Sequence, residues 1–435
     1  MFTRRRFIAH TALAAAVGSL AATLPGVTPS AESPPPPEPR LLDRARSLLK
    51  QGPLIDTHND LPSMFLETHA EDFTTLDMGK VQPTLCADIP RLREGCVGAQ
   101  YWSIFVEGNT QATHASLHDA IREFDVAFRF IRARPELELA TTANDVERIH
   151  RAGHIASLLG VEGGHMIENS AAALRIFQEL GARYLTLTHF DNIAWADSAT
   201  DRVQNHGLTE FGRRIVRELN RIGMFADISH VSADTMRDTL RTTRAPVIFS
   251  HSNAFAIDPH VRNVPDDVLL MLAANGGVVH VNFLKEFVSP RDPAWQAKRA
   301  EAVRQFHSRL DTDNAVQSAM TEWENRNPHP RGTIADVADH IDHIRKIAGV
   351  DCIGVGADFF DAGRRSMAIG LDDVTRYPYL FAELLRRGYS DEDVLKIAGR
   401  NHLRAMRKMA AVSAELRKTE APQLIEGAAA GSYQL

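Results

Sequence analysis

The residues best suited to chemistry in this sequence are histidines and acids at the ends of short apolar segments. The first such segment, in LIDTHNDLP, runs into His58 and Asp60. Six segments end in this way, in His58 with Asp60, Glu162, His189, His230, His251 and Asp358. One such residue alone is more often a helix cap or a hydrogen-bonding group. The joint pattern predicts a metal centre, because zinc binds imidazole nitrogens and carboxylate oxygens.

The set of ligands is too large for one tetrahedral ion, whereas two ions that share a bridging carboxylate would use the surplus. A water between two such ions is acidic enough to give hydroxide near neutral pH, so the pattern predicts hydrolysis. His58 and Asp60 stand two residues apart and face the same side of a continuing strand, where both can bind one metal. Asp56 has the same parity, and we expect it to orient His58 from behind.

Short β-rich segments alternate with stretches of helical length from residue 54 onward. The candidate strands span 54–58, 97–106, 155–161, 183–189, 224–230, 246–251, 277–283 and 351–358. Between most of them, apolar residues recur every three or four positions, as in TEFGRRIVRELNRIG. The alternation predicts an α/β fold, a TIM-like (β/α)8 barrel with a helical insertion at 285–349, before the last strand. In such a barrel the chemistry lies at the C-terminal strand ends. A doubly wound sheet is the alternative, but no Gly-rich phosphate fingerprint follows the first strand.

Composition restricts the class of protein. The chain has 435 residues, 44% of them apolar, and a formal net charge of -6 with no long basic run. These values favour a globular protein and exclude nucleic acid as the partner, because a phosphate-binding surface needs clustered Lys and Arg. Cys86, Cys96 and Cys352 have no Cys-x-x-Cys spacing and are predicted core residues, although the sequence leaves one disulfide open.

The N-terminal region has the pattern of an export signal. TRRRFI places three arginines ahead of an Ala-rich apolar run from Ile8 to Leu24. The run is shorter than the roughly 20 residues of a spanning helix, and its start resembles a twin-arginine signal, which carries folded proteins. We expect a signal peptide at 1–31, a Pro-rich linker at 32–45, the barrel domain at 46–410 and a tail at 411–435. The mature protein would then be periplasmic or secreted without a membrane anchor, and an uncleaved signal is the alternative.

Several ordered motifs together resemble the membrane dipeptidase, or renal dipeptidase, family of dizinc peptidases. The motifs are LIDTHNDLP, GVEGGH, YLTLTHFDNIAWADS, ADISHVS, VIFSHSNA, RNVPDD and VADHIDHIRKIAGVDCIGVGADF, and the likeness covers residues 50–408. Long motifs in a fixed order are far more specific than a single short pattern. The resemblance implies a TIM-like barrel that binds two zinc ions and hydrolyses dipeptides with a free amine and a free carboxylate.

The resemblance also implies roles for individual residues. His189 would bind substrate and polarise the scissile carbonyl rather than ligate a metal. Arg262 would hold the substrate carboxylate, and Asp358 would hold the amine and carry a proton to the leaving nitrogen. A planar donor fork and an anion suit a dipeptide, which is charged at both ends. The implied metal ligands are His58 and Asp60 for the first zinc, Glu162 as the bridge, and His230 and His251 for the second.

This chain departs from the family at two points. Members usually show Asp-Phe-Asp-Gly at the eighth strand end, whereas this chain has ADFFDAG, so Asp358 aligns while Asp361 is displaced. Animal members carry a C-terminal lipid anchor, which we do not expect here. His340 and His343 stand three apart on a helix, and we expect them to pack rather than bind metal. A homodimer is compatible with the sequence.

Two other functions compete with the dipeptidase. Binuclear lactonases, phosphotriesterases and amidohydrolases generally begin with His-x-His and bridge their metals with a carbamylated lysine. This chain has His58-x-Asp60 and, as the bridge candidate, Glu162. A dipeptide-binding protein without turnover is the second alternative, and the complete ligand set argues against it.

Replacing Arg4 and Arg5 by lysine tests the predicted export route. A twin-arginine signal depends on the paired arginines, so we expect the double variant to accumulate in the cytoplasm while the wild type is exported. Cell fractionation followed by immunoblotting measures the distribution. Unchanged export of the variant would show that the signal is of another type.

Overall fold

The structure, a computed structural model, describes residues 37–68, 76–310, 312–360 and 366–424. The predicted signal peptide lies outside these ranges, as do Asp361 of the altered loop and the end of the predicted tail. No helix in the described ranges is long and apolar enough to cross a membrane.

Eight parallel strands close into a barrel. The strands of the described residues are Leu54–Asn59 (β1), Val97–Ile104 (β2), Leu137–Leu139 (β3), Ile155–Glu162 (β4), Ala182–Thr186 (β5), Phe225–Asp227 (β6), Ile248–Phe249 (β7), Val278–Val281 (β8) and Ile353–Val355 (β9). The ring runs β1, β2, β4, β5, β6, β7, β8, β9 and back to β1, and β3 pairs additionally with the start of β4. The predicted barrel and its eight strands are confirmed.

Helices alternate with the strands along the chain. In the described ranges they are Pro39–Leu49, Leu61–Thr68, Ile89–Glu94, Ser116–Arg132, Ala143–Arg151, Ala171–Glu179, Glu210–Ile222, Ala233–Thr242, Asp266–Asn275, Asp292–His307, Asp313–Arg326, Ile334–Ala348, Tyr377–Arg386, Asp391–Leu395 and Asn401–Thr419. A π-helical turn at Lys396–Arg400 joins the last two into one continuous rod. The strands they cover are buried at every position of β1, β2 and β4, as expected for parallel strands with both faces covered.

Helices extend past two of the predicted domain boundaries. Helix Pro39–Leu49 begins inside the region predicted to be a linker at 32–45, because the fixed φ of Pro39 suits a first helical turn. Its residues Ala45, Leu48 and Leu49 are buried, and the helix packs on Tyr377–Arg386. Helix Asn401–Thr419 likewise runs into the predicted tail at 411–435. A buried apolar face therefore extends the domain at both ends.

Large side chains fill the barrel. The hydroxyl of Tyr184 reaches from β5 across to β1, where it donates to the carbonyl oxygen of Thr57 at 3.2 Å. Its ring fits because residue 160 is glycine, and a Cβ at Gly160 would lie 1.9 Å from the ring. The ring of Tyr101 stacks on that of Tyr184 with 5.4 Å between centroids, and its hydroxyl lies 2.9 Å from Nε2 of His402. These contacts form the floor beneath the strand ends.

The predicted helical insertion lies between β8 and β9. Helices Asp292–His307 and Asp313–Arg326 pack on each other around Ala302, Val316 and Met320, a small core separate from that of the barrel. Helix Ile334–Ala348 then leads toward β9. The insertion thus adds a helical pair to the outside and returns the chain to the last strand.

The two histidines of helix Ile334–Ala348 pack against neighbouring segments. His340 is buried, accepts a hydrogen bond at Nδ1 from the backbone N–H of Ala254 at 3.1 Å, and lies 3.2 Å through Nε2 from the carbonyl oxygen of Val288. Nε2 of His343 lies 2.7 Å from a carboxylate oxygen of Asp266. The expectation that they pack rather than bind metal agrees with these partners.

The cysteines lie mostly in the core. Cys86 and Cys352 are buried, whereas Cys96 is partly exposed. No disulfide joins the three residues, all of which fall within the described ranges.

Candidate metal centre

The C-terminal ends of the strands bring the predicted ligands together. His58 lies within β1 and Asp60 directly after it, while Glu162 is the last residue of β4. The remaining members follow β5, β6, β7 and β9 within a few residues: His189, His230, His251 and Asp358. All of these side chains are buried.

Glu162 stands at the centre of the group. Its Oε1 atom lies 3.3 Å from Nε2 of His58 and 3.2 Å from Nε2 of His230. The Nε2 atoms of His189 and His251 both lie 3.6 Å from the same oxygen. One carboxylate oxygen therefore faces four imidazole nitrogens, as a bridging ligand would.

The other ligand atoms lie close to these nitrogens. Nε2 of His58 lies 3.4 Å from Oδ1 of Asp60 and 3.8 Å from Oδ1 of Asp358. Nε2 of His230 lies 2.8 Å from Nε2 of His251. Three overlapping groups in the described ranges are compact enough to hold an ion: His58 with Glu162 and His251, Glu162 with His189 and His230, and His58 with Asp60 and Asp358. The division of the ligands between a first and a second ion stays a prediction. His189 and Asp358 also lie within ligand distance, so distance alone does not separate them from the ligands.

The hydroxyl of Tyr184 fixes the tautomer of His58. Its Nδ1 lies 3.0 Å from the hydroxyl of Tyr184, and that hydroxyl donates its own hydrogen to the carbonyl oxygen of Thr57. The hydroxyl therefore accepts from Nδ1–H of His58, which leaves the lone pair on Nε2. The ring thus presents a metal-binding nitrogen to Glu162.

A longer relay fixes His251. Its Nδ1 lies 2.8 Å from Oγ of Ser250, and that hydroxyl donates to Asp227 at 2.6 Å. The Asp227 carboxylate also accepts from the Thr186 hydroxyl at 2.5 Å and from the backbone N–H of Ser229 at 3.1 Å. Because the Ser250 hydrogen is committed to Asp227, Nδ1 of His251 must donate and Nε2 keeps its lone pair.

The charges of the site favour a bound cation. Burial lowers the pKa of His230 to about 3 and that of His251 well below its usual value, so both rings are neutral at neutral pH. Burial also lowers the pKa of His58, but the carboxylates of Glu162 and Asp60 outweigh it and raise that pKa well above the ordinary value. A metal ion would replace the proton that these acids attract, so metal affinity should fall as the solution becomes acidic.

Comparison with known proteins gives the family. A family model described as membrane dipeptidase, peptidase family M19, matches residues 42–420. The chain belongs to this family. Dipeptidase 3 of Rattus norvegicus is 37% identical over 381 residues, which cover 86% of this chain and 68% of that protein. This member of family M19 is therefore a metallopeptidase.

Solved structures support the same fold. The probable dipeptidase PvdM from Pseudomonas aeruginosa has a TM-score of 0.76 at 21% identity, over 86% of this chain and 100% of that one. A metallopeptidase from Rhodobacter sphaeroides, liganded with a phosphinate mimic of the dipeptide L-Ala-D-Ala, has a TM-score of 0.66 at 24% identity. That match covers 82% of this chain and 99% of the other.

Arg262 of this M19 member is a buried guanidinium with donors to spare. Nη1 lies 3.5 Å from Oγ of Ser252, and Nη2 lies 3.5 Å from the carbonyl oxygen of His251. Its Nε makes no hydrogen bond to the described residues, and its guanidinium carbon lies 5.2 Å from the ring centroid of Phe287. Burial lowers the pKa of Arg262 to about 10, although nearby carboxylates oppose this, so the group stays charged at neutral pH.

Asp358 is held in an uncommon backbone conformation. Its φ of 66° lies in the left-handed region, as does the φ of His230 at 67°. Such non-glycine residues cost free energy and cluster at functional sites. The backbone N–H of Asp358 donates to the carbonyl oxygen of His58 at 3.3 Å, and Oδ2 accepts from Nδ2 of Asn282 at 2.9 Å. The other oxygen, Oδ1, is left facing the ligands.

The predicted role of Asp56 is only partly correct. Its Oδ1 accepts from the backbone N–H groups of His58 at 3.2 Å and Ala357 at 2.9 Å, and its Oδ2 accepts from the hydroxyl of Tyr377. Asp56 therefore joins β1 to the end of β9, whereas the ring of His58 is oriented by Tyr184.

Tyr184 and Asn282 were not predicted as functional residues from the sequence. Asn282 directly follows β8, a strand end for which no ligand was predicted, and a polar residue at that position was the available signal. Tyr184 lies within a buried strand, where a tyrosine reads as core packing. Nothing in the spacing of Tyr184 indicates that its hydroxyl crosses the barrel to β1.

Replacing Tyr184 by phenylalanine tests the link to His58. The variant loses the acceptor for Nδ1–H, so we expect metal affinity to fall roughly 10- to 100-fold, as for other residues that orient metal-binding histidines. Competition with a chelator measures the affinity of the loaded protein. Tyr101→Phe is the control, since it removes a buried hydroxyl from the stacked neighbour without touching His58. Equal affinities in the two variants would contradict the assigned role.

Proposed function

We propose that this protein is a binuclear zinc dipeptidase that hydrolyses dipeptides with free amino and carboxyl ends. The position of Glu162 carries the proposal, because its Oε1 atom lies 3.3 Å from Nε2 of His58, 3.2 Å from Nε2 of His230 and 3.6 Å from Nε2 of His251. A carboxylate so placed suits two ions that share a bridge. The name of the rat relative and the dipeptide mimic bound to the Rhodobacter sphaeroides protein point to the same substrate class.

The donor set favours zinc. The converging atoms are imidazole nitrogens and carboxylate oxygens, a borderline set that suits zinc better than magnesium or calcium, which prefer oxygen alone. Two bound ions would supply Lewis acidity and activate a water molecule for attack on the peptide carbonyl. The hydroxyl groups of Tyr184 and Ser250 contact Nδ1 of His58 and His251 and so keep Nε2 of each ring directed toward the metal centre.

His189 is placed to assist the carbonyl oxygen. Its ring lies 4.3 Å from that of His230, and the rings of Phe105 and Phe190 flank it at 4.6 Å and 4.2 Å. The aromatic contacts fix the imidazole at the edge of the ligand groups. A fixed donor at this position would stabilise negative charge that develops on the carbonyl oxygen during attack.

Arg262 and Asp358 would bind the two charged ends of the substrate. A buried guanidinium with an unused Nε–H is costly unless an anion binds to it, and a C-terminal carboxylate supplies two oxygens in matching geometry. Asp358 presents Oδ1 to the ligands and would hold the ammonium group. The same carboxyl would deliver a proton to the leaving nitrogen, the role that the family resemblance implies for it.

The proposal includes export to the periplasm or the medium. The implied ligands come from four different strand ends, so the metal centre exists only in the folded barrel. A twin-arginine route, which carries folded proteins, would allow the site to be loaded before export.

Replacing Glu162 by glutamine tests the shared bridge. An amide oxygen carries no charge and binds zinc weakly, so both ions should be lost or greatly weakened while the fold persists. Elemental analysis of purified protein gives the metal content, which we expect to be close to two per chain in the wild type. Glu218→Gln is the matched control, since Glu218 is equally buried but pairs with Arg221 and Arg175 on the outer helices. Loss of only one ion from Glu162→Gln would argue against a bridge.

The substrate class is tested with a dipeptide and with the same dipeptide amidated at its C-terminus. Amidation leaves Arg262 buried and unpaired, which costs about 3–5 kcal/mol, equivalent to roughly 10²–10⁴-fold in kcat/KM. Arg262→Lys should cause a similar loss on the free dipeptide, because an ammonium cannot form the planar fork. Asp358→Asn should lower kcat by roughly 10²–10⁴-fold, with metal content unchanged. Equal cleavage of the amide and the free dipeptide would favour a general barrel hydrolase instead.

A further inference from the structure

Three buried asparagines connect the Arg262 segment to Asp358. Asn253 and Asn263 lie in the segment that follows β7, and Asn282 follows β8. Each is at most 1% exposed, and none belongs to the ligand groups. Burial of three amide side chains is costly unless their hydrogen bonds are made, so their partners reveal what they hold together.

Asn253 is the central member. Its Nδ2 donates to the carbonyl oxygens of Asn282 and Phe287, both at 3.0 Å, and its Oδ1 accepts from the backbone N–H of Asn282 at 3.1 Å. Its own backbone N–H donates to Oδ1 of Asn263 at 3.3 Å, and its carbonyl oxygen accepts from Val264 at 2.7 Å. Both side-chain hydrogens are used, so the amide has one favourable orientation.

Asn263 continues the network to the arginine. Nδ2 of Asn263 donates to the carbonyl oxygens of Asp258 at 2.9 Å and Phe287 at 3.0 Å. The carbonyl oxygen of Phe287 thus accepts from the side-chain amides of both Asn253 and Asn263. The ring of Phe287 lies against the guanidinium of Arg262, the residue that precedes Asn263 in the chain. The position of Arg262 is therefore set by a segment that Asn253 and Asn263 hold in place.

Asn282 completes the network at the other end. Nδ2 of Asn282 donates to Oδ2 of Asp358 at 2.9 Å, and Oδ1 accepts from the backbone N–H of Leu284 at 2.5 Å. The bond pins one oxygen of the acid whose backbone lies in the left-handed region. An unbroken series of amide hydrogen bonds thus runs from the neighbour of Arg262 to the side chain of Asp358.

We propose that Asn253, Asn263 and Asn282 are positioning residues that fix the separation of Arg262 from Asp358 and so restrict the substrate to two residues. The inference rests on the proposed function, in which these two groups bind the ends of a dipeptide. A dipeptide and a tripeptide carry the same end charges and differ in the distance between them by one residue, about 3.3–3.6 Å in extended chain. A frame of buried amides in which both side-chain hydrogens of Asn253 and of Asn263 are used resists a change of that size. Apolar packing alone would direct neither Arg262 nor Asp358.

Asn253→Ala tests the frame, with a free dipeptide and the same dipeptide lengthened by one residue at its C-terminus as substrates. We expect the ratio of kcat/KM for the dipeptide to kcat/KM for the tripeptide to fall by roughly 10–100-fold, because a misplacement of about 1 Å can cost 10²-fold in the favoured reaction. Most of the change should be a loss on the dipeptide. Asn282→Ala is the milder second variant, since it removes only the bond to Asp358 and the bond from Leu284, and it should narrow the ratio in the same direction.

Asn220→Ala is the matched control. Asn220 is equally buried and accepts from the Thr243 hydroxyl and the backbone N–H of Arg244, outside the site. Its replacement should lower the thermal midpoint of unfolding and leave the ratio of kcat/KM for the dipeptide to kcat/KM for the tripeptide unchanged. Metal content and thermal midpoint are measured for all variants.

The outcomes separate the two proposals. If Asn253→Ala or Asn282→Ala keeps its metal and prefers the dipeptide over the tripeptide less strongly in kcat/KM than the wild type does, the positioning role of the asparagines is supported. Equal losses on both substrates in Asn253→Ala and Asn282→Ala would overturn it, because such losses reflect only a weakened protein. A wild type that cleaves the tripeptide as well as the dipeptide would overturn the proposed function itself, and with it the restriction on length.

Discussion

The contact of one buried carboxylate with several imidazoles is the interaction on which the rest of this structure depends. Glu162 faces four histidine nitrogens in the buried region at the C-terminal ends of the barrel strands. A carboxylate loses its hydration there, and the loss is tolerable only if protons or metal ions take the place of water. The histidines must then direct Nε2 toward it, and in His58 and His251 a neighbouring hydroxyl group satisfies Nδ1.

That requirement explains polar groups that would otherwise be out of place in a barrel. The hydroxyl groups of Tyr184 and Ser250 accept from the rings of His58 and His251, and Asp227 accepts from Ser250. Burial raises the pKa of Asp227, while hydrogen bonds from Ser250, Thr186 and Ser229 oppose this by favouring its charged form. These polar groups therefore support the ligands, and their hydrogen bonds offset part of the cost of burying them.

The sequence predicted the parts of the molecule that follow a local rule. Parallel strands are continuous apolar runs, and their ends carry the ligands, so the barrel and the cluster around Glu162 could be predicted from spacing. The bounds were less accurate because β7 is only Ile248–Phe249, too short for a periodic signal. The helix at Pro39–Leu49 was missed because the prolines before it dominated the local composition.

Contacts across the barrel could not be predicted in this way. Tyr184 and His58 are separated by 126 positions, and Asn282 and Asp358 by 76. Neither pair has a spacing rule, since their approach depends on the closed ring. Arg262 was singled out only through resemblance, because an arginine in a loop is usually a surface residue and its burial depends on Phe287 and the asparagines around it.

The last helix has a consequence for the order in which the molecule is made. His402 on Asn401–Thr419 enters the floor of the barrel, where its Nε2 meets the hydroxyl of Tyr101 and its Nδ1 lies 3.1 Å from Nε2 of His280. Tyr101 in turn stacks on Tyr184, the residue beneath His58. A chain still leaving the ribosome can pair its strands before this helix emerges, but it then lacks the contacts of His402 with Tyr101 and His280. The first ligand to be synthesised therefore gains its final support from one of the last segments.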